Sequence, residues 1–154
     1  MNKFARFTVS TILVFILMMA FAPAGSAQAD APFRLPADTE WIDSGFDVVA
    51  GQSVTITARG QALTGPLKDY PDARSGPDGQ ITDCSLIVPG HDCAMDGGPY
   101  GALVGKIGVS GTPFLIGSSY TFTPSASGDL YLAVNDNLFD YSDNHGNFIV
   151  FFAP

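Results

Sequence analysis

Two apolar runs, Leu130–Val134 and Phe148–Phe152, stand on either side of a loop that carries Asn135, Asp136, Asn137, Asp140, Asp143, Asn144 and His145. Each run is too short for a helix and reads as a strand, so the loop must be held between two strands. Six of the seven polar side chains offer an amide or carboxylate oxygen, and the loop has no Lys or Arg. Carboxylates crowded without a counter-charge repel one another, and hard oxygen donors are what calcium selects. A calcium site between two strands is the functional reading. A solvated acidic hairpin loop is the plain alternative, because Asp, Asn and Gly favour turns for backbone reasons alone.

The rest of the chain agrees with β structure. Glu40–Val49 alternates polar and apolar residues, with Trp41, Ile42, Phe46 and Val48 as core candidates, and Ala50-Gly51 makes a turn. Val54, Ile56 and Ala58 alternate with Ser53, Thr55, Thr57 and Arg59, the period of a half-buried strand. Residues 65–99 are dense in Gly, Pro and Asp. A loop of that length is functional or stapled. Tyr100–Ile107 reads as a strand with Gly101 and Gly105 marking bulges or close backbone approach. Thr112–Ile116 and Ser119–Thr123 are two further short strands, and Pro124–Gly128 is a turn. No window has a helical apolar period and no repeat is present. The expectation is an all-β sandwich with one core.

The beginning of the chain reads differently. A basic stretch containing Lys3 and Arg6 precedes an apolar run, Phe7–Phe21, that is short for a membrane span. Ala27-Gln28-Ala29 then fits a small-residue cleavage site. Residues 1–29 are expected to be a secretory signal peptide, 30–39 a flexible lead and 40–154 the folded domain, exported to the periplasm or the medium. No second long apolar run follows, so no membrane insertion is expected. Loss of Lys3 and Arg6 leaves five basic residues against fifteen acids, a balance that argues against nucleic acid and anionic membranes as partners.

Cys84 and Cys93 are the only cysteines. In an exported chain a disulfide that orders the 65–99 loop is the favoured reading. Zinc is the sharper alternative, since His91 and Asp92 adjoin Cys93, although the spacing matches no standard structural zinc pattern. A catalytic constellation does not emerge. His145 stands alone in its loop, Gly108-Val109-Ser110-Gly111 lacks the spacing of a nucleophile elbow, and the Asp residues crowd one polar loop where no apolar pocket would keep one protonated. The loop also lacks the spacing, helical flanks and terminal Glu of an EF-hand. An enzyme is not expected.

Several stretches together, Trp41-x-Asp43-Ser44-Gly45-Phe46-Asp47-Val48, Val54-x-Ile56-x-Ala58-x-Gly60, Tyr100–Gly108, Asn135-Asp136 and Tyr141–Phe148, resemble the PA-IL-like bacterial lectins, which are calcium-dependent, galactose-binding β-sandwich proteins. The resemblance runs from Trp41 to about Phe151. It implies a jelly-roll-like galactose-binding sandwich with Ca2+ as cofactor and galactose-type glycans as partners. By resemblance, calcium would be held by the Asp136 carboxylate, the Asp140 carbonyl, the side chains of Asp143 and Asn144, and a carbonyl of the Thr64-Gly65-Pro66 turn. Two sugar hydroxyls would complete its shell. Sugar contacts would come from Asp136, the Asn137 backbone, Asp140 and Asp143, with Asp78 and His91 on neighbouring loops. Two departures bear on specificity. Asp143 stands where Asn is common, and Gly76 and Gly79 stand where the galactose binder has His and Gln. A weak single site would need a homo-oligomer or a multivalent glycan for useful avidity. The alternative is a calcium-stabilised structural or interaction domain that binds no sugar.

Overall fold

Period-two burial, tight Gly turns and an uninterrupted series of short apolar runs produce two antiparallel sheets. The computed structural model describes residues 31–65, 74–87 and 92–154. The strands are β1 (Phe33–Pro36), β2 (Ile42–Val48), β3 (Val54–Leu63), β4 (Arg74–Ser75), β5 (Leu103–Ile107), β6 (Phe114–Leu115), β7 (Ser119–Phe122), β8 (Gly128–Val134) and β9 (His145–Ala153). A four-residue helix α1 (Cys84–Ile87) is the single departure from the all-β expectation among the described residues. One sheet runs β1-β9-β3-β4 with β7 also on β3, and the other runs β2-β8-β5-β6. Because β9 pairs with β3 from Thr55 to Leu63, β4 and β7 share the opposite edge of β3 at its two ends.

The core lies between the sheets. Leu35, Ile56, Leu103, Leu130, Leu132, Val134, Phe148 and Val150 are fully buried, each from the inward set of its strand. Phe46 of β2 stacks on Phe152 of β9 across the layer, ring centroids 4.6 Å apart. The residues expected to form a flexible lead contribute β1, which pairs with β9 and buries Leu35 and Ala37. The reason is the register: β9 would otherwise present an open edge, and the short apolar tooth of Phe33 and Leu35 covers it. Tyr100–Ile107 begins its ladder only at Leu103, and Thr112–Ile116 is reduced to two residues by Pro113.

Two local devices shape the strands. The β2–β8 register slips between Asp43 and Asp47, where Gly45 has φ +70° and the Ser44 hydroxyl donates to the Leu130 carbonyl at 2.7 Å. A side chain thus replaces a ladder bond at the bulge. In the long β3–β9 pair, Gly146 has φ +91° and a Cβ there would run into the Gln61 carbonyl, so only glycine lets the strands close at that end.

A second, smaller cluster sits on the outer face of the β2-β8-β5-β6 sheet. Val104 and Ala133 point outward and are covered by Ala94, Met95, Leu138 and Trp41. Lys106 lies over the Trp41 ring at 4.4 Å, a desolvated cation on an aromatic face, and burial lowers its ammonium pKa. No helix among the described residues is long and apolar enough to cross a membrane.

Candidate functional site

The two central strand pairs end at the same side of the sandwich, and their ends deliver the acidic loop. Pairing of Leu63 with His145 places Thr64 and Gly65 beside Asn144, while pairing of Leu103 with Val134 continues into Asn135. Asn135 is fully buried. Its backbone N–H donates to the Ala102 carbonyl at 2.7 Å, its amide nitrogen donates to the Pro99 carbonyl, and its Oδ1 accepts from the Met95 N–H at 2.8 Å. Sequence reasoning counted Asn135 among the loop oxygens. The structure gives it to the scaffold.

Asp136 is 3% exposed, an unusual place for a carboxylate without a cationic partner. Oδ1 accepts from the Asn137 N–H at 2.7 Å and Oδ2 from the Asn144 amide at 2.8 Å. Burial nevertheless lifts its carboxyl above the ordinary range; these hydrogen bonds oppose the shift and the charge of Asp143 adds to it. Asn144, 1% exposed, also donates to the Ala37 carbonyl at 3.2 Å and accepts from the Gly65 N–H at 3.0 Å. One side chain therefore ties together the ends of β1, β3 and β8. The Asn144 amide nitrogen, not its oxygen, faces Asp136.

Around this pair lie Tyr100, Tyr141 and Thr64. The Tyr141 hydroxyl donates to the Val134 carbonyl at 2.6 Å, and burial pushes its phenol far above the usual range. Burial likewise raises Tyr100, with Asp136 adding to the shift and Thr64 opposing it. Thr64 Oγ1 is buried without a hydrogen-bond partner among the described residues. An orphaned buried oxygen beside a buried carboxylate is a site that a hard cation or its water would satisfy.

The outer part of the loop is different. Asp140 is exposed and Asp143 half-buried. Desolvation raises the Asp143 carboxyl and Asp140 repulsion raises it further. The Asn137 side-chain oxygen accepts from the Phe139 N–H and its carbonyl from the Asp140 N–H, which holds the turn, while its own N–H is taken by Asp136. Among the described residues no three His, Cys, Asp or Glu side chains come together as a metal cluster. The donors present are thus two carboxylates that sense one another, amide groups and backbone carbonyls. That chemistry fits calcium and fits zinc poorly.

Cys84 and Cys93 form a disulfide with an S–S distance of 2.07 Å, which removes the zinc alternative. Its position is more informative than its presence. Cys93 bridges to Asn137, the Ala94 N–H donates to the Asp136 carbonyl at 3.0 Å, and the Leu138 N–H donates to the Asp92 carbonyl at 2.9 Å. The disulfide arm is therefore a short strand laid along the acidic loop. Asp78 is committed elsewhere: its carboxylate accepts from the Ser118 N–H at 2.7 Å, and it makes none of the hydrogen bonds of the Asp136 group. His91, residues 1–30 and Pro66 lie outside the described residues.

No protein-family model matches the sequence, and no curated protein matches it. Among solved structures, the chain is similar to one described as the EclA N-terminal domain, a PllA-like lectin, with TM-score 0.60 and 25% identity over 80% of this chain and 95% of that one. The protein has a lectin-like, all-β sandwich fold.

Proposed function

We propose that the protein is an exported, calcium-dependent carbohydrate-binding protein of lectin type, not an enzyme. The observation that carries this is the buried Asp136 carboxylate beside the orphaned Thr64 oxygen, at the loop end of a lectin-like sandwich. In this reading Asp136 and Asp143 supply carboxylates, Asp140 and Thr64 supply carbonyls, the unpartnered Thr64 hydroxyl would be satisfied by the ion or its water, and Asn144 braces Asp136. Bound calcium would supply an electrophilic anchor for two neighbouring sugar hydroxyls. The carboxylates accept hydrogen bonds from the same hydroxyls and so orient them.

Galactose is the proposed sugar class, with a specific weakness. Gly79 has φ +75°, and a Cβ there would lie 2.8 Å from the Ala102 Cβ, so this turn is closed against the segment just before β5 and admits no orienting side chain. Gly76 has open space around it. Gly76→His is accordingly the variant expected to fold and to gain galactose affinity. The test of the reading is retention of the protein on galactose-agarose with calcium and release by a chelator. If a chelator leaves both retention and the thermal melt unchanged, calcium has no part.

The structural alternative has one observation in its favour: both side-chain polar atoms of Asn144 are used by the protein itself. A melt that responds to calcium, with no glycan retained on an array, would select it.

A further inference from the structure

Two open depressions flank the loop on the side of the β1–β2 connection, and they meet at Asp38. The first, about 520 Å³, is lined by Arg34, Pro36, Asp38, Asn144, His145 and Gly146. The second, about 430 Å³, is lined by Asp38, Thr39, Glu40, Phe139, Tyr141 and Ser142. Each falls within the ~300–1,000 Å³ usual for small-molecule sites, yet both are open; the first is mainly polar and the second mixed. Together they form a trough that passes Asn144, the brace of the proposed primary site.

Phe139 stands at the far end of this trough and is 78% exposed. Its exposure is imposed: the Asn137 side chain accepts from the Phe139 N–H and the next N–H bonds back to the Asn137 carbonyl, so the turn holds the ring outward. The Leu138 side chain, one residue earlier, turns instead into the small outer cluster. An aromatic face fixed in water beside acceptors and hydroxyls suits a ligand with one apolar face and a polar rim. A pyranose ring has that shape. Arg34 and His145 at the other end supply donors, and Asp38 and Glu40 between them and Phe139 supply acceptors.

We propose that this trough is an extended subsite that takes the second and third residues of a linear glycan, with Phe139 as the stacking platform. It rests on the carbohydrate-binding reading of the loop and adds to it a preference for oligosaccharides over the single sugar. Asp38 and Glu40 accept hydroxyl hydrogen bonds along the way, and no covalent step is involved.

The experiment is calorimetric titration of the calcium-loaded protein and of Phe139→Ala with methyl galactoside and with linear galactobiose and galactotriose, alongside a glycan array of both proteins. The wild type is expected to bind the trisaccharide at least tenfold more tightly than the monosaccharide. Phe139→Ala should lose about three- to tenfold for the longer ligands, the worth of one aromatic stack. Its monosaccharide affinity should stay within twofold and its thermal melt should be unchanged. Equal wild-type affinity for one and three sugars overturns the subsite and leaves the primary reading intact. Equal loss for all ligands in the variant also overturns it, because Phe139 would then serve the primary loop. Absence of binding to every glycan on the array overturns both.

Discussion

Asp136 and Asp140 stand four residues apart in one loop and have the same side chain, yet they live in different solvents. Asp136 is buried, doubly hydrogen-bonded and bordered by three strand ends, whereas Asp140 is exposed and contributes mainly its charge to Asp143. The difference comes from what lies behind each. The inner half of the loop continues the β5–β8 ladder and is clasped by the disulfide arm; the outer half has only its own turn. Charge in the inner half is therefore an architectural liability that a ligand can relieve. In the outer half the same charge is nearly free.

The sharpest way to break this contrast is Asn144→Ala. It removes three hydrogen bonds and leaves the Asp136 carboxylate buried with one partner fewer, so chelator-treated protein should lose about 3 kcal/mol or more in urea unfolding. An effect under 1 kcal/mol would show that the brace is redundant. Cys84→Ser with Cys93→Ser comes next, at roughly 2–3 kcal/mol for so short a closure. Hydrogen exchange should then rise at residues 92–95 and 135–138 together, because those segments are paired; a rise confined to 92–95 would refute the clasp.

Asp136→Asn separates the two halves electrostatically. In the calcium reading, wild-type protein gains a few kcal/mol at saturating metal through binding linkage and the variant loses most of that gain. Asp140→Asn should keep it, since a carbonyl is the proposed ligand there. Thermal melts with calcium and with chelator read both.

The pH dependence has a definite sign. The carboxyls of Asp136 and Asp143 are held above the ordinary range, chiefly by burial, so the folded state binds protons more tightly than the unfolded. Stability from this source is complete below the ordinary carboxylate range and is lost as pH rises through the raised folded values. Without metal, the melting temperature should fall over the window that opens just above the ordinary carboxylate value of about 4, as pH rises through the raised folded values. Asp136→Asn should flatten that fall. A wild-type melt that rises over the same window would contradict it. The smallest effect belongs to the exposed half: Asp140→Asn should shift stability without metal by less than about 0.5 kcal/mol.

Much of this architecture can be read in the residues themselves. Strict alternation in Val54–Arg59 and the paired apolar runs around the loop announce β3, β8 and β9, because burial on one face leaves a period-two trace. β1 leaves none: four residues with one Pro at each border look like a lead, and only their pairing with β9 makes them a strand. The loop was legible as a cluster of oxygens, but not its division of labour. Asn135 and Asn144 have the composition of ligands and the contacts of scaffold, and no local signal separates the two. The clasp of residues 92–95 on 135–138 joins segments some forty residues apart, which spacing alone does not reveal.

The chain order of the larger sheet has a kinetic consequence. β9, the last strand, lies between β1 and β3, and Arg34 of β1 reaches Asn147 of β9 across 113 residues of sequence. Until β9 arrives, β1 has no neighbour and β3 lacks the partner along most of its length; the two-residue β3–β4 pair is the one contact in that sheet between strands consecutive in sequence. Its assembly waits on closing the largest loop in the molecule. Folding should accordingly be slow for the chain's size, in the millisecond-to-second range typical of sandwiches with non-local pairing. Deletion of β9 should abolish the fold instead of merely shortening it.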